Sequence, residues 1–354
     1  MVSACEQSEA LAPSATPIDP EFITRLSRAH EKAGFDRVLV RTSSSSPDSF
    51  LLSAHVLAST DALGVLVAHR PSSSAPTVIA RAVATLDQLH GGRVALHIVA
   101  GGDATDLARD GDYCAHDERY ERAAEFVTVL KRTWTEQAPV SFAGRFYKFD
   151  SYRPAFPCLS RPHVRIYAGG ASDAALAFAA RHADTLASWG EPLDDVAEQV
   201  TRSDAIAGQH GRILRHSLSV RPILGRTDDE AWQKAHRILD AARARNLTRP
   251  AEQIENTGSK RLLAAAHRGT VLDRCLFTPL VEATGARGNA TALVGTAHTV
   301  AEAILDYQDV GIDTFIIAGF ATGGAEAEVT SYAELIARVR SGSRAARGDR
   351  GSPT

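Results

Sequence analysis

The sequence predicts an α/β fold in which a parallel sheet is covered by helices. Short runs of β-branched and apolar residues alternate with segments of helical periodicity. Runs such as residues 37–41 (RVLVR) and 93–100 (RVALHIVA) are largely apolar, which is typical of strands buried on both faces. No GxGxxG or P-loop motif follows the first run, so the pattern favours a closed barrel over an open dinucleotide-binding sheet.

The elements can be placed from their end signals. Asp19 is a natural N-cap, Pro20 suits the first helical position, and Gly34 stops the helix. The next helix is predicted to open at Pro47 with Ser46 as its N-cap. Seven strands are expected in the parallel series, at residues 37–41, 64–69, 93–100, 164–168, 185–188, 217–224 and 314–318, and a hairpin is expected at residues 140–149.

Bulk properties point to one cytoplasmic enzyme domain. A net charge of −3 and a pI near 6.5 give no electrostatic reason to expect nucleic acid or a membrane surface as a partner. The four cysteines are widely spaced, which fits a reducing compartment and argues against a metal site. We expect a disordered leader (1–17), a single domain (18–340) and a disordered tail (341–354), with no secretory signal or membrane span.

Candidate site residues lie where strands end, because the active site of a parallel αβ barrel is built there. After the fourth strand come Gly169 and Gly170, then Ala171, and Ser172 opens a helix. Free backbone N–H groups and a hydroxyl at a positive helix end form a phosphate cradle. The alternative is that Ser172 is only an N-cap and the glycines only allow a tight turn.

Two further clusters have both structural and functional interpretations. In residues 116–121 (HDERYE), Asp117 could simply cap a helix, or His116 and Tyr120 could bind a ligand at the barrel mouth. Trp189, at the end of the fifth strand, could pack in the core or form a wall against a flat ring.

Taken together, the motifs resemble the luciferase-like flavin monooxygenases, and specifically their alkanesulfonate branch. The matching stretches follow the family's order over most of residues 18–340: SAPTVIARAVATLDQLHGGR, GGDATDLARDG leading into HDERYERAAEF, VSFAGRFYKF, YAGGASDAALAFAARHADTLASWGEP, RTDDEAW, TALVGTAHTVAEAILDYQDVGIDTFIIAGF and ELIARV.

The resemblance implies a (β/α)8 barrel that uses reduced FMN (FMNH2) supplied by a separate flavin reductase. It implies an oxygen transfer from O2 to a small substrate, at best an alkanesulfonate that releases sulfite and an aldehyde, and a homo-oligomer. The implied cofactor residues are His97, Ala100, Gly101, His116, Tyr120, Gly170, Ala171 and Ser172. Trp189 is placed on the substrate side.

The chain departs from the family in four places. The family's first strand and polar loop correspond here to the leader, so the first strand is expected to be missing or degenerate unless in-frame codons upstream of Met1 encode it. The family's active-site cysteine corresponds to Ser46. Its Tyr-Pro-His after the last strand is residues 320–322 (FAT), and its substrate-binding arginine is Ser219.

Two arginines could still hold an anion. Arg221 lies two residues after Ser219 and would share its strand face, and Arg287 matches the family's mobile-loop arginine. The loss of several family groups nevertheless makes a different substrate plausible. Two other functions stay open: a deazaflavin (F420)-dependent oxidoreductase of the same superfamily, and a non-catalytic flavin-binding partner subunit.

Overall fold

Seven parallel strands form the centre of the fold in the computed structural model, which describes residues 18–248, 254–286, 288–321 and 324–349, with side chains described to residue 343. They lie in the order β1 (Arg37–Val40), β2 (Gly64–His69), β3 (Val94–Ile98), β6 (Ile166–Gly169), β7 (Thr185–Trp189), β8 (Arg215–Val220) and β13 (Thr314–Ile317). These are the seven predicted strands, and they form a nearly closed parallel barrel.

The strand register decides which side chains point into the barrel. Leu39 is paired with Leu66, and a small interior cluster joins both to Ala95, Tyr167 and Ile316. Because alternate residues of a strand share a face, the residues two positions further along β3 and β7 also point inward. The register therefore directs these side chains toward the barrel mouth.

Helices surround the strands, as predicted. They are α1 (Pro20–Lys32), α2 (Ser49–Ala58), α3 (Pro76–Leu89), α4 (Ala104–Arg109), α5 (His116–Thr135), α6 (Asp173–His182), α7 (Leu193–Gln209), α8 (Asp228–Ala244), α9 (Thr257–Arg268), α10 (Leu280–Ala283), α11 (Ala297–Asp309) and α12 (Ala325–Asp349). In the described part of the chain, none of these helices is long and apolar enough to cross a bilayer.

The predicted helix caps are partly confirmed. The Asp19 carboxylate accepts a hydrogen bond from Phe22 N at 2.9 Å, as expected for an N-cap. The predicted cap at Ser46 is wrong. Asp48 caps α2 instead, since its carboxylate accepts the N–H groups of Phe50 and Leu51 at 2.9 Å each. A carboxylate that accepts two N–H groups at a positive helix end is the stronger cap.

The α5 cap also differs from the prediction at Asp117. The helix begins one residue earlier, at His116, and the N-cap residue is Ala115. The Ala115 N–H donates to the Glu118 carboxylate at 3.2 Å. Asp117 therefore lies inside the first turn, where its charge complements the helix dipole.

Two smaller sheets lie outside the barrel strands. The predicted hairpin is confirmed as β4 (Val140–Ala143) and β5 (Lys148–Tyr152). The predicted strand 217–224 is divided, because β8 ends at Val220 and β9 (Pro222–Leu224) joins a second sheet. That sheet, which the sequence analysis did not predict, also contains β10 (Val271–Leu272), β11 (Leu276–Phe277) and β12 (Ala292–Gly295).

The C-terminal boundary differs from the prediction as well. Helix α12 continues to Asp349, so the predicted tail is helical over residues 341–349. The first residues of this extension touch α11, where the Ser343 hydroxyl donates to the Gln308 side chain at 2.8 Å. These tertiary contacts extend the helix beyond what the glycine- and serine-rich composition predicts.

Candidate active site

The turn after β6 has the geometry of the predicted phosphate cradle. Gly170 has φ +139°, a conformation that side chains rarely adopt. A Cβ atom at this position would lie 2.8 Å from the Tyr120 hydroxyl, so only glycine allows the phenol to approach the turn. Ser172 is the N-cap of α6, with its hydroxyl 3.2 Å from Ala175 N.

Tyr120 and His116 line the same turn from helix α5. The His116 Nε2 atom lies 3.5 Å from the Ser172 hydroxyl, and the His116 and Tyr120 rings are 5.3 Å apart. Burial raises the pKa of Tyr120, although Ser172 opposes the shift by hydrogen bonding. The phenol is therefore protonated at neutral pH and can donate a hydrogen bond to an anion.

His97 extends this region into the barrel. It pairs with Tyr167 across β3 and β6, and its Nε2 atom would lie 3.2 Å from a Cβ atom on Gly169. Its Nδ1 atom is buried and, within the described residues, has no hydrogen-bond partner. Since buried polar atoms are almost always paired, this nitrogen is available to a bound ligand.

The loop after β3 forms the next part of the mouth. Ala100 is buried, and Gly101 has φ +89° with no room for a Cβ atom, which would lie 2.6 Å from the Leu107 side chain. Arg119 lies above this loop and donates to the Cys114 carbonyl at 2.8 Å. The loop is thus held by α4 and α5 beside His97.

Trp189 lies on the opposite side of the mouth, beneath helix α9. It pairs with Ser219 across β7 and β8, so both side chains point inward. A Cβ atom on Gly258 of α9 would lie 2.9 Å from the indole ring. Trp189 packs against a small apolar cluster that includes Leu262 and Val281. The indole is therefore a wall of the mouth that also supports α9.

A buried ion pair fixes α9 in this position. The Glu191 side chain is 2% exposed, and its carboxylate accepts two contacts from Arg261, at 2.6 Å and 2.8 Å. Burial raises the pKa of Glu191, and the guanidinium opposes that shift. The Tyr307 hydroxyl donates to the Glu191 carbonyl at 2.7 Å. Helix α9 is thereby tied to the end of β7.

Arg221 is engaged within the protein. Its guanidinium donates to the carbonyls of Asn289 and Gly319 at 3.2 Å and 3.0 Å and stacks 3.7 Å from the centre of the Phe320 ring. Its exposed fraction is 5%. The Asn289 amide donates to the Ser219 carbonyl at 2.6 Å. These contacts hold the loop that carries residues 287–291 against β8.

Ser46 is also engaged locally. Its hydroxyl donates to the Ser43 carbonyl at 3.0 Å and accepts from Ser43 N at 2.9 Å, which closes a turn within the serine-rich loop. The neighbouring Ser44 contacts the Asp106 carboxylate, which also pairs with Arg70. The loop after β1 is therefore fastened to α4 by Ser44.

The structure brings most of the predicted residues together. His97, His116, Tyr120, Gly170 and Ser172 line one continuous region, and Trp189 faces it across the mouth. Arg287 lies outside the described residues. The sequence analysis missed a second set of polar residues, although each follows a strand or lies in a glycine-rich stretch: Arg70, Glu191, Arg261 and Asn289. Within the described ranges, His, Cys, Asp and Glu form no group of three that could hold a metal ion.

Comparison with known families agrees with this geometry. The sequence profile described as luciferase-like monooxygenase matches residues 1–314. The chain belongs to this family. The luciferase-like monooxygenase assignment fits both the parallel barrel and the position of the residues at its mouth.

Solved structures share the fold at low sequence identity. A riboflavin lyase with modified FMN and riboflavin has a TM-score of 0.74 at 21% identity, covering 91% of this chain and 85% of that one. The EDTA monooxygenase from Chelativorans sp. BNC1 has a TM-score of 0.72 at 19% identity, covering 90% and 87%. An F420-dependent secondary alcohol dehydrogenase has a TM-score of 0.70 at 17% identity, covering 91% and 95%.

His97 should remain neutral across the physiological range. Burial lowers the pKa of His97 to about 4, against about 6.5 in an unfolded chain. The folded state then binds its proton more weakly, so His97 lowers stability as pH falls from about 6.5 to about 4, by up to about 1.4 kcal/mol per pH unit.

Imidazole NMR titration measures this directly, and we expect no His97 titration above about pH 5. His97→Gln should also lose less melting temperature than the wild type between pH 7 and pH 5. A ring that titrates near pH 6.5 would contradict the enclosed environment.

Trp189→Phe should change function more than stability. If the indole is a wall of the mouth, turnover or substrate range should change while the melting temperature shifts little. Trp134→Phe is the matched control, because Trp134 is 7% exposed in the main core and donates to the Ala80 carbonyl at 3.1 Å. The control should cost about 1–3 kcal/mol of stability and leave the activity of the folded protein intact. The reverse pattern would make Trp189 a core residue only.

Proposed function

We propose that this chain is a monooxygenase that binds reduced FMN and transfers one oxygen atom from O2 to a small organic substrate. The observation that carries the proposal is the convergence of the Tyr120 hydroxyl, Ser172 and the Gly170 turn at the N-terminus of α6. That arrangement provides hydrogen-bond donors and a positive helix end for a phosphate. The unpaired Nδ1 atom of His97 lies further into the barrel, in the direction expected for the isoalloxazine ring.

The residues present fit FMN by their donor chemistry. The protonated Tyr120 phenol and the Ser172 hydroxyl would hold the phosphate, with free N–H groups of the α6 first turn. When bound, reduced FMN supplies the electrons that activate O2. Neutral His97 would offer a hydrogen bond to the ring without adding charge.

The chain's own part in catalysis would be to enclose the reactants. Trp189 would form an apolar wall opposite the cradle, and α9 would cover it. Because α9 is fixed by the buried Glu191–Arg261 ion pair, it would exclude water from that side. A flavin reductase would supply the reduced cofactor, and the predicted homo-oligomer and cytoplasmic location stay predictions.

The finer prediction, an alkanesulfonate substrate, depends on an anion clamp formed by Arg221 and Arg287. Arg221 already donates to two carbonyls and stacks on Phe320, so it supports the mouth more directly than it reaches a substrate. Sulfonate recognition would then rest chiefly on Arg287. The sulfonate therefore has less support than the flavin.

Flavin binding tests the main proposal. A charge-assisted hydrogen bond to phosphate contributes about 1.5–3 kcal/mol, so Tyr120→Phe with Ser172→Ala should weaken reduced-FMN binding about tenfold or more. Anaerobic titration of the purified protein measures the affinity, with riboflavin, which lacks the phosphate, as the matched ligand. Riboflavin affinity should be the same in both proteins.

Two outcomes would contradict the flavin proposal. An unchanged FMN affinity in the double variant would place the phosphate elsewhere. Tight binding of reduced F420 with no measurable FMN binding would favour the deazaflavin oxidoreductase. Binding of FMN without turnover on any substrate would favour the partner-subunit function.

A substrate panel tests the sulfonate. With reduced FMN and oxygen, short alkanesulfonates should release sulfite, and Arg287→Ala should lower that rate by about tenfold or more, because a guanidinium–sulfonate contact is charge-assisted. Arg226→Ala is the control, since the Arg226 side chain is 92% exposed and pairs only with Glu230 among the printed contacts. Oxidation of neutral substrates without any sulfite would reject the sulfonate and leave the monooxygenase intact.

A further inference from the structure

The barrel has an open seam between β1 and β13. In the described part of the chain, β1 pairs only with β2, and β13 pairs only with β8. Each strand therefore presents one edge of backbone N–H and C=O groups to the seam. Parallel strands in soluble proteins are normally covered on both edges and faces, because uncovered edges invite pairing with another chain segment.

The helices outside the seam are nevertheless packed against each other. Arg25 of α1 donates to Glu326 of α12 at 2.9 Å, and Arg340 donates to the Gly34 carbonyl at 2.8 Å. The rings of Phe35 and Tyr332 are 6.4 Å apart. The ring of helices is thus closed where the ring of strands is open, so the seam cannot close by moving β1 onto β13 without disturbing α1 and α12.

A cavity of about 310 Å³ occupies the seam. Leu39 of β1 and Ile316 of β13 line its two sides, Leu66 and Tyr167 line its inner end, and Leu335 of α12 lines its outer end. Protein interiors leave few voids larger than one water molecule, and a water occupies about 30 Å³ in the liquid. The cavity runs from the helix layer into the barrel, which is the path of a strand's side chains.

We propose that an extended segment of residues 1–17 of this chain enters the seam and pairs with both β1 and β13 as the eighth strand. The segment commits to residues 2–5 (VSAC), an uncharged stretch that precedes Glu6. Such a strand would run parallel to both neighbours. Its alternate side chains would meet Leu39 and Ile316 on the inside and Leu335 on the outside.

The position of α1 favours this occupant. Because α1 leads directly into β1, its first residues lie at the carboxyl ends of the strands, and its helix packs over the seam against α12. A strand–helix–strand unit of parallel strands is right-handed and brings the first strand next to the second. The residues that precede α1 are therefore the ones that the topology directs to the seam.

Length and composition agree with that path. The barrel strands have four to six residues, and eight residues (41–48) connect β1 to α2. A strand at residues 2–5 leaves residues 6–19 for the corresponding connection. Pro13 and Pro17 lack the N–H group that a central strand must donate, so they belong to the connection and not to the strand.

Matched proline variants of the full chain test the proposal. Ser3→Pro should remove a ladder hydrogen bond within the strand, whereas Ser14→Pro lies in the connection. Hydrogen exchange followed by mass spectrometry should show residues 37–40 and 314–317 exchanging at least about tenfold faster in Ser3→Pro. Ser14→Pro should exchange like the wild type, and residues 94–98 of β3 give the internal reference.

A thiol measurement covers the case in which Ser3→Pro does not fold. In Cys114→Ser the other two thiols besides Cys5, those of Cys158 and Cys275, are 1% and 2% exposed. Cys5 should then react with a maleimide at least about tenfold more slowly in folded protein than in urea.

Three results would overturn the proposal. They are labelling of Cys5 at the unfolded rate, rapid exchange of both seam strands in the wild type, and protection that depends on protein concentration. The last result would place a segment of a second copy in the seam.

Discussion

Parallel pairing of the barrel strands is the constraint on which the remaining features depend. In a parallel barrel every strand ends at the same rim, so the turn after β6, the loop after β3 and the end of β7 meet there although they are far apart in the chain. The register then points alternate side chains inward, and this places His97 and Trp189 on facing sides of one mouth. Each candidate site residue therefore owes its position to backbone hydrogen bonds between strands.

The two sides of the mouth are held by different kinds of interaction. On the cradle side, the absence of a side chain at Gly170 allows the Tyr120 hydroxyl to approach the N-terminus of α6. On the other side, polar contacts fix loops and a helix: Glu191 with Arg261, and Asn289 with Ser219. Breaking a buried ion pair leaves an uncompensated charge and costs several kcal/mol, so α9 is held firmly. The substrate side is thus shaped by contacts within the protein, and this includes Arg221.

The seam and the mouth are separate consequences of the same barrel. The helices close around the strands through α1 and α12, whereas β1 and β13 leave room for one more strand. Filling that room would complete the pairing that keeps the strand ends aligned. The order of the strand edges and the geometry of the catalytic rim are therefore coupled through the backbone.

The sequence by itself determined the seven barrel strands, the hairpin, the Asp19 cap and the glycine turn, since these depend on local periodicity and on residues with distinctive backbone preferences. It also placed His97, Tyr120 and Ser172 at strand or helix ends. Tertiary structure alone decided that Arg221 donates to the carbonyls of Asn289 and Gly319, because those partners are 68 and 98 residues away. It also decided the second sheet, the extension of α12 and the position of α9, since each depends on long-range contacts that no local pattern records.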